Sequence, residues 1–255
     1  MIGRPGYNRH FYRQTGGSGL EGPTALAALV LEMVGVASAI DFGCGTGDWL
    51  AAFAANGVET VIGVDGEWVP RQFLKIPHEQ FIPRDLTKPW ELDRRFDLAI
   101  TLEVAEHLPA SAAEGFVSLL VSAAPVVLFS AAIPGQGGTG HVNEQWPEYW
   151  ASHFAAHRYA VIDTLRPAIW TDERLAPCIR QNILLFVEQG FLDRSPRLTD
   201  ARARTDDARL SQVHPAEFAR VTDPSKMSLR RSLEVLPGIG TAAWRRHARW
   251  QRTSV

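Results

Sequence analysis

The fold is decided by the stretch Asp41-Phe42-Gly43-Cys44-Gly45-Thr46-Gly47, residues 41–47 of the chain. A short apolar run before it, Ala37 to Phe42, predicts a β-strand, and the segment after it, Trp49 to Ala55, predicts a helix. Glycines at alternate positions permit positive φ angles and let a ligand approach backbone amides at the start of a helix. The stretch therefore predicts a strand–loop–helix unit that binds a ligand.

Strand and helix patterns alternate along most of the chain. Further strands are predicted over Thr60 to Val64, Gln80 to Pro83, Phe96 to Leu102, Val126 to Ser130, Tyr159 to Leu165 and Asn182 to Val187. Further helices are predicted over Thr24 to Met33, Val69 to Leu74, Ala112 to Ala123 and Glu144 to His157. Near-continuous apolar strands separated by helices indicate a parallel sheet that is covered on both faces. The fold class is therefore α/β, with a doubly wound and mostly parallel seven-stranded sheet in which the direction of the last strand stays open.

Changes in composition predict two domains. Residues 1–190 are expected to form the ligand-binding domain, which includes an N-terminal arm of about two dozen residues carrying Tyr7, His10 and Tyr12. Residues 191–255 are expected to form a charged C-terminal extension. Within it, the stretch Asp193 to Asp207 is interpreted as a linker or a surface-wrapping segment, and the last thirty residues as basic amphipathic pieces.

The overall composition argues against a nucleic-acid-binding protein, a membrane protein and a disulfide-rich secreted protein. The chain has 255 residues, 45% of them hydrophobic, and a formal net charge of −2, so nothing global indicates nucleic acid or membrane as a partner. Its two cysteines form no disulfide framework, and its apolar runs stop well short of the roughly 20 residues that span a bilayer. We expect a cytoplasmic protein without a membrane segment, and a homo-oligomer is compatible with the sequence.

The glycine loop separates two classes of cofactor. The dinucleotide fingerprint requires G-x-G-x-x-G, and Asp48 stands where its third glycine should be, so a pyrophosphate cradle is disfavoured. The loop instead resembles motif I of class I S-adenosylmethionine-dependent methyltransferases, D/E-x-G-x-G-x-G, at every defined position. The resemblance extends from Ala37 to Glu188 and implies a Rossmann-like methyltransferase fold with S-adenosylmethionine as cofactor. It implies these cofactor-binding residues: Asp41, Gly43, Gly45, Asp65, Asp85, Leu86 and Leu102.

For two of these residues, Asp65 and Asp85, the chemistry of the carboxylate explains a role in cofactor binding. Asp65 ends the second predicted strand, where a carboxylate can accept two hydrogen bonds from the vicinal diol of a ribose. Asp85 follows the third strand, where methyltransferases commonly bind the adenine amino group, with the Leu86 amide on a ring nitrogen. An alternative stays open for both acids, namely that they are turn formers at strand ends.

Carboxylates and imidazoles follow the fourth and fifth predicted strands. Glu103, Glu106 and His107 follow the fourth strand and His141 the fifth, so all four are expected at the same crevice. In one interpretation a histidine is a general base and no metal is needed. In the other, the four residues bind Mg²⁺ or another divalent cation that coordinates the acceptor hydroxyl.

The pattern Glu-x-x-Glu-His resembles the metal-binding segment of ubiquinone-pathway O-methyltransferases and of enzymes that methylate the terminal ribose of small RNAs. The resemblance implies Glu103, Glu106, His107 and His141 as metal ligands, with His107, His141 and Glu106 in the catalytic group. Since both families present a diol or a catechol to the ion, we expect an acceptor with adjacent hydroxyls.

The segment after His141 suggests the class of acceptor. It resembles a segment of bacterial glycan and secondary-metabolite methyltransferases, and Trp146, Tyr149 and Trp150 either stack on a sugar or belong to the core. We predict a metal-assisted O-methyltransferase that acts on a sugar, an oligosaccharide or a glycosylated metabolite. Two alternatives stay open: an RNA ribose methyltransferase that uses the basic C-terminal tail, with nucleic acid the less favoured partner, and a metal-independent methyltransferase of small molecules with a histidine base.

Overall fold

The computed structural model describes residues 19–223. The predicted N-terminal arm and the basic C-terminal tail lie outside these residues. The chain divides into two compact units, one that ends at His214 and one that begins at Pro215. Within residues 19–223, no helix is both long and apolar enough to cross a bilayer.

The first unit contains seven strands and eight helices among the described residues. Its strands are β1 Ser38–Phe42, β2 Thr60–Asp65, β3 Phe81–Pro83, β4 Leu98–Leu102, β5 Val126–Ser130, β6 Tyr159–Ile162 and β7 Leu184–Glu188. Its helices are α1 Glu21–Met33, α2 Asp48–Ala55, α3 Ala113–Ala123, α4 Pro147–Ala156, α5 Leu165–Ile169, α6 Pro177–Asn182, α7 Gln189–Leu192 and α8 Pro196–Ala203. In the second unit, α9 spans Pro215–Thr222.

The seven strands form one sheet in the order β3-β2-β1-β4-β5-β7-β6. Strands β1 to β5 pair in parallel, whereas β7 runs antiparallel to both β5 and β6. The order reverses at β1, which pairs with β2 on one side and β4 on the other. In open parallel sheets, ligands bind at such a reversal, beyond the carboxyl ends of the strands. The predicted α/β class and the mostly parallel sheet are confirmed, and the last strand is antiparallel.

Both faces of the sheet are buried under helices. Successive residues of the central strands alternate between two apolar clusters, so that Leu98 and Ile100 lie in one cluster and Ala99 in the other. Helices α1 and α2 pack on the first face, and α3 and α4 pack on the second. This double burial explains why β4 and β5 are apolar almost throughout.

Two predicted helices differ from the structure. The helix predicted over Val69 to Leu74 is only a 3₁₀ turn, Arg71–Phe73. The helix predicted from Glu144 begins at Pro147 instead, because proline has no N–H to donate and its φ suits the first helical position. The residues between Glu144 and Pro147 therefore belong to a loop.

Residues 189–214, which follow β7, are part of the first unit. Leu192, Leu198 and Ala201 are buried in the same apolar cluster as α1 and α2. The charged stretch Asp193 to Asp207 is interpreted from its sequence as a linker or as a surface-wrapping segment. The second interpretation fits the structure, because α8 lies within this stretch and buries Leu198 and Ala201. The predicted domain boundary at residue 190 falls inside this compact unit, which ends at His214.

Candidate active site

The glycine loop leaves β1 and turns back over β2. The amides of Gly43 and Cys44 donate to the carbonyl of Val64, at 2.7 and 3.1 Å, and the Gly45 amide donates to Asp65 Oδ2 at 2.8 Å. Glycines 43, 45 and 47 all have positive φ, at 85°, 54° and 86°. The loop is thus attached to the neighbouring strand by its own backbone, and the predicted succession of strand, loop and helix is confirmed.

Gly43 and Gly45 both have positive φ but differ in what surrounds them. A Cβ on Gly43 would lie 2.4 Å from Val104 Cγ2, so a side chain there would collide with the segment after β4. A Cβ on Gly45 would meet nothing within 4 Å. Open space beside exposed backbone is the geometry that lets a ligand approach the loop closely.

The strands next to the loop carry two acids, Asp41 in β1 and Asp65 at the end of β2. Asp65 is half-buried at the end of β2, and its Oδ1 accepts from the Gly66 amide at 2.6 Å. Asp41 is only 1% exposed, and its Oδ2 has no hydrogen-bond partner among residues 19–223. Burial, followed by the negative charge of Asp65, raises the pKa of the Asp41 carboxyl well above its ordinary value. A buried oxygen without a partner is uncommon and fits a site that a ligand completes.

The remaining predicted cofactor residues occupy the neighbouring strand ends. Asp85 is exposed, and its Oδ1 accepts from the backbone amide and the hydroxyl of Thr87, at 2.9 and 2.6 Å. These hydrogen bonds to a residue two positions later are typical of an aspartate that stabilises a turn. Leu86 is half-buried. Leu102 ends β4 and is 8% exposed. The adenine-binding role of Asp85 stays a prediction.

Glu103 stands directly after β4 in an unusual conformation. Its φ is 55°, and its amide donates to the carbonyl and the hydroxyl of Ser130, both at 3.0 Å. Its carboxylate accepts from the side-chain amides of Gln136 and Asn182, at 2.8 and 3.0 Å. A non-glycine residue at positive φ costs about 1–3 kcal/mol and is typical of functional sites. The two amides fix the direction of this carboxylate.

Three of the four predicted metal ligands come together. One ligand atom from each of Glu106, His107 and His141 lies within 4.8 Å of the other two. The two imidazole rings meet edge to face with centroids 4.8 Å apart, and His141 Nε2 lies 3.9 Å from Glu106 Oε1. The amides of Val142 and Asn143 both donate to the Glu106 carbonyl, which joins the two segments. Glu103 is outside this group.

Glu106 is the most buried member of the group. It is 0% exposed, and neither carboxylate oxygen has a hydrogen-bond partner in the described part of the chain. Burial raises the pKa of this carboxyl well above its ordinary value, and the negative charges of Glu103 and Glu144 raise it further. The backbone amides of Glu106 and Ala132 offset part of this increase in pKa, although neither forms a hydrogen bond of ordinary geometry with the carboxylate. A buried and unpartnered carboxylate is costly unless a cation or a proton accompanies it.

A second glycine-rich loop, residues 135–140, covers the histidines. A Cβ on Gly138 would lie 2.2 Å from His141 Nε2, so the loop backbone packs directly on that ring. The Glu144 carboxylate holds the loop, since it accepts from the amides of Gly135 and Gly137 at 2.8 and 2.6 Å. Glu144 Oε1 also lies 2.9 Å from His141 Nδ1.

The aromatic residues after this loop divide between surface and core. Trp150 is 2% exposed, with its ring 5.4 Å from that of Phe129, and Tyr149 packs edge-on against it at 5.0 Å. Trp150 is therefore a core residue, which is the second of the two alternatives that the sequence left open for it. Trp146 is 41% exposed and Val142 66% exposed, so both face solvent beside His141 in the sequence.

A profile of the family described as "Methyltransferase domain" matches residues 20–162, which is more than half of the chain. The chain belongs to this methyltransferase family. Because the loop after β1 and the sheet order agree with the match, it is an S-adenosylmethionine-dependent methyltransferase. No curated protein sequence matches it.

Solved structures agree on the fold of this methyltransferase. The small RNA methyltransferase HEN1 is 18% identical with a TM-score of 0.50, and the match covers 66% of this chain and 25% of that one. Magnesium protoporphyrin IX methyltransferase (ChlM) from Synechocystis PCC 6803, with bound SAH, is 17% identical with a TM-score of 0.50. That match covers 74% of this chain and 89% of ChlM. At these identities the likeness concerns the fold alone.

The sequence left several residues of this methyltransferase's site unassigned. Gln136 and Asn182 bind Glu103, and Glu144 binds the second glycine loop and His141. The spacing His141-x-x-Glu144 was the only local signal for such a pair. Asn182 is 79 residues from Glu103, so no local pattern joins them.

Proposed function

We propose that the protein is a metal-assisted O-methyltransferase whose acceptor carries adjacent hydroxyls, as in a sugar, an oligosaccharide or a glycosylated metabolite. The observation that carries the proposal is the group formed by Glu106, His107 and His141 at the carboxyl ends of β4 and β5. It lies at the same edge of the sheet as the glycine loop, where ligands of this fold class bind.

On the cofactor side, the glycine loop and Asp65 hold S-adenosylmethionine. The open space beside Gly45 admits the cofactor to the backbone, and a carboxylate at Asp65, which accepts from the Gly45 and Gly66 amides, is the acceptor type that ribose hydroxyls require. Asp41 Oδ2, which has no hydrogen-bond partner among residues 19–223, is an acceptor that a ligand at this loop would complete. The cofactor supplies an electrophilic methyl group, and its transfer to a hydroxyl requires the loss of one proton.

On the acceptor side, Glu106, His107 and His141 hold a divalent cation. A carboxylate with two imidazoles suits several divalent ions, among which Mn²⁺ accepts both donor types and Mg²⁺ prefers oxygen. When bound, such an ion lowers the pKa of a coordinated hydroxyl and fixes its position. Its charge would also compensate the buried Glu106 carboxylate.

A second candidate is a metal-independent methyltransferase in which His141 is the general base. It is favoured by the contact of His141 Nδ1 with Glu144 at 2.9 Å, because a carboxylate that orients one ring nitrogen leaves the other free to accept a proton.

A turnover assay separates the two candidates. The protein is freed of metal with a chelator and assayed with labelled S-adenosylmethionine on a panel of sugars and catechols. The metal-assisted function predicts that turnover collapses and returns with Mn²⁺ or Mg²⁺. Full turnover after chelation would contradict the metal role and leave the histidine base.

The same assay decides whether RNA is the acceptor. A terminal ribose also has adjacent hydroxyls, so small RNAs are included in the panel. An RNA acceptor predicts binding that falls steeply with salt and turnover that is lost when residues 224–255 are deleted. A sugar acceptor predicts turnover that is insensitive to both changes.

A further inference from the structure

The loop between β5 and α4 contains a carboxylate with three partners. Glu144 accepts from the amides of Gly135 and Gly137 and contacts Nδ1 of His141. Its side chain is 19% exposed and that of His141 is 12% exposed, so the contact is largely shielded from water. A contact of this burial is worth more than an exposed ion pair of the same length.

The chemistry of the pair fixes which ring nitrogen carries the proton. An ionised carboxylate only accepts hydrogen bonds, so Nδ1 of His141 must donate to Glu144. The lone pair of a neutral His141 is then on Nε2, the nitrogen that lies 3.9 Å from Glu106 Oε1. Histidines that bind metals commonly donate their second ring nitrogen to a carboxylate in this way.

Glu144 also shapes the loop that packs on the ring. Gly135 and Gly137, whose amides it binds, have φ angles of 87° and 67°, and Gly138 between them and His141 touches the imidazole. One carboxylate thus sets the backbone on one side of His141 and the tautomer of the ring.

We infer that Glu144 is the positioning residue of the candidate metal centre: it holds His141 as the Nδ1–H tautomer and aims Nε2 at the cation site. The part of this inference that concerns the ion rests on the proposed function. The tautomer of His141, however, is a property of the metal-free protein.

The first test is the tautomer itself. In metal-free, ¹⁵N-labelled protein, long-range ¹H–¹⁵N correlation spectra assign the proton of His141 to one ring nitrogen. We expect Nδ1–H in the wild type and a mixture of tautomers in Glu144→Gln. A proton on Nε2 in the wild type, or an unchanged spectrum in the variant, would overturn the inference.

The second test is the affinity for Mn²⁺ alone, measured by calorimetry. Glu144→Ala should weaken binding by about 100-fold and Glu144→Gln, which retains one acceptor oxygen, by about 10-fold, the range expected for partners of metal-bound histidines. Glu148→Gln is the matched control, because Glu148 also accepts two hydrogen bonds but from Ser211. Its affinity should equal that of the wild type.

The outcomes separate the inference from the proposed function. Equal Mn²⁺ affinity in the wild type and Glu144→Ala, with both proteins folded by circular dichroism, would overturn the positioning role alone. A wild type that does not bind Mn²⁺, Mg²⁺ or Zn²⁺ would overturn the metal centre, and the tautomer measurement would still decide whether Glu144 orients His141.

Discussion

The two glycine-rich loops of this methyltransferase, residues 41–47 and 135–140, are built for different tasks. The first is bound to the sheet by backbone hydrogen bonds to Val64 and leaves open space beside Gly45. The second is held by side chains, since Glu144 accepts from the Gly135 and Gly137 amides and the Gln136 side chain bonds to Glu103, and it packs on His141. The first loop therefore presents backbone to a ligand, whereas the second positions side chains. Substitutions in the two regions should accordingly separate cofactor binding from the chemistry of the acceptor.

The largest effect is expected at Glu106. Replacing it with glutamine removes the buried charge but preserves its shape, so Glu106→Gln should lose turnover by about 100-fold or more, beyond the range for partners of metal ligands. Affinity for S-adenosylmethionine should not change. The free energy of unfolding should hold or rise, because a neutral amide costs less to bury than an unpaired carboxylate. Normal turnover would remove Glu106 from the site.

The next effect is expected at Gly43. The Gly43→Ala side chain would collide with Val104 at a position with φ of 85°, so strain and overpacking should together cost about 2–5 kcal/mol of unfolding free energy. Cofactor affinity should fall with it. Gly35→Ala is the control, because a Cβ there meets nothing within 4 Å and its φ is ordinary. Equal stability of both variants in a denaturant titration would contradict the packing described for the first loop.

Asp65→Ala tests the cofactor site without the acceptor site. Loss of hydrogen bonds from a charged acceptor costs about 1.5–3 kcal/mol, which corresponds to a roughly 10- to 100-fold weaker affinity for S-adenosylmethionine. Binding of Mn²⁺ should be unaltered. The exposed neighbour Glu67 supplies the control, Glu67→Ala, for which calorimetry should give wild-type values. Unchanged cofactor affinity in Asp65→Ala would reject the ribose assignment.

Gly138→Ala should have the opposite effect to Asp65→Ala, with weaker Mn²⁺ binding and unaltered cofactor binding. Its Cβ would lie 2.2 Å from His141 Nε2, so the ring must move and Mn²⁺ affinity should fall by about 10-fold, as for a lost orienting contact. Cofactor affinity should change little, because this loop is outside the first. Wild-type Mn²⁺ affinity would show that the second loop does not position the histidine.

The smallest effect on metal binding is expected at Glu103. Its carboxylate is bound by Gln136 and Asn182, and it is outside the group of three. Glu103→Gln should therefore bind Mn²⁺ within about threefold of the wild type, a difference under about 0.7 kcal/mol. It should instead lower stability by about 1–3 kcal/mol, since one amide would face another donor. A loss of affinity equal to that of Glu106→Gln would restore Glu103 as a fourth ligand.

The contrast between the loops also explains what the sequence could predict. The first loop is encoded locally, because its spacing of glycines and the apolar run before it are contiguous, and β5 was predicted with its observed bounds, Val126–Ser130. The second loop depends on contacts across segments. Whether Glu103 faces an ion or the two amides depends on Gln136 and Asn182, which are 33 and 79 residues away. For Trp150 the sequence left both sugar contact and core packing open, and its contact with Phe129, which is distant in the chain, decides for the core.

The metal centre can be tested by a Mn²⁺ titration followed by electron paramagnetic resonance, with and without S-adenosylmethionine. We expect one Mn²⁺ bound per chain in the wild type, with or without cofactor, and none in Glu106→Gln at the same concentrations. Equal binding by the wild type and Glu106→Gln, or no binding by either, would contradict a metal centre built from Glu106, His107 and His141.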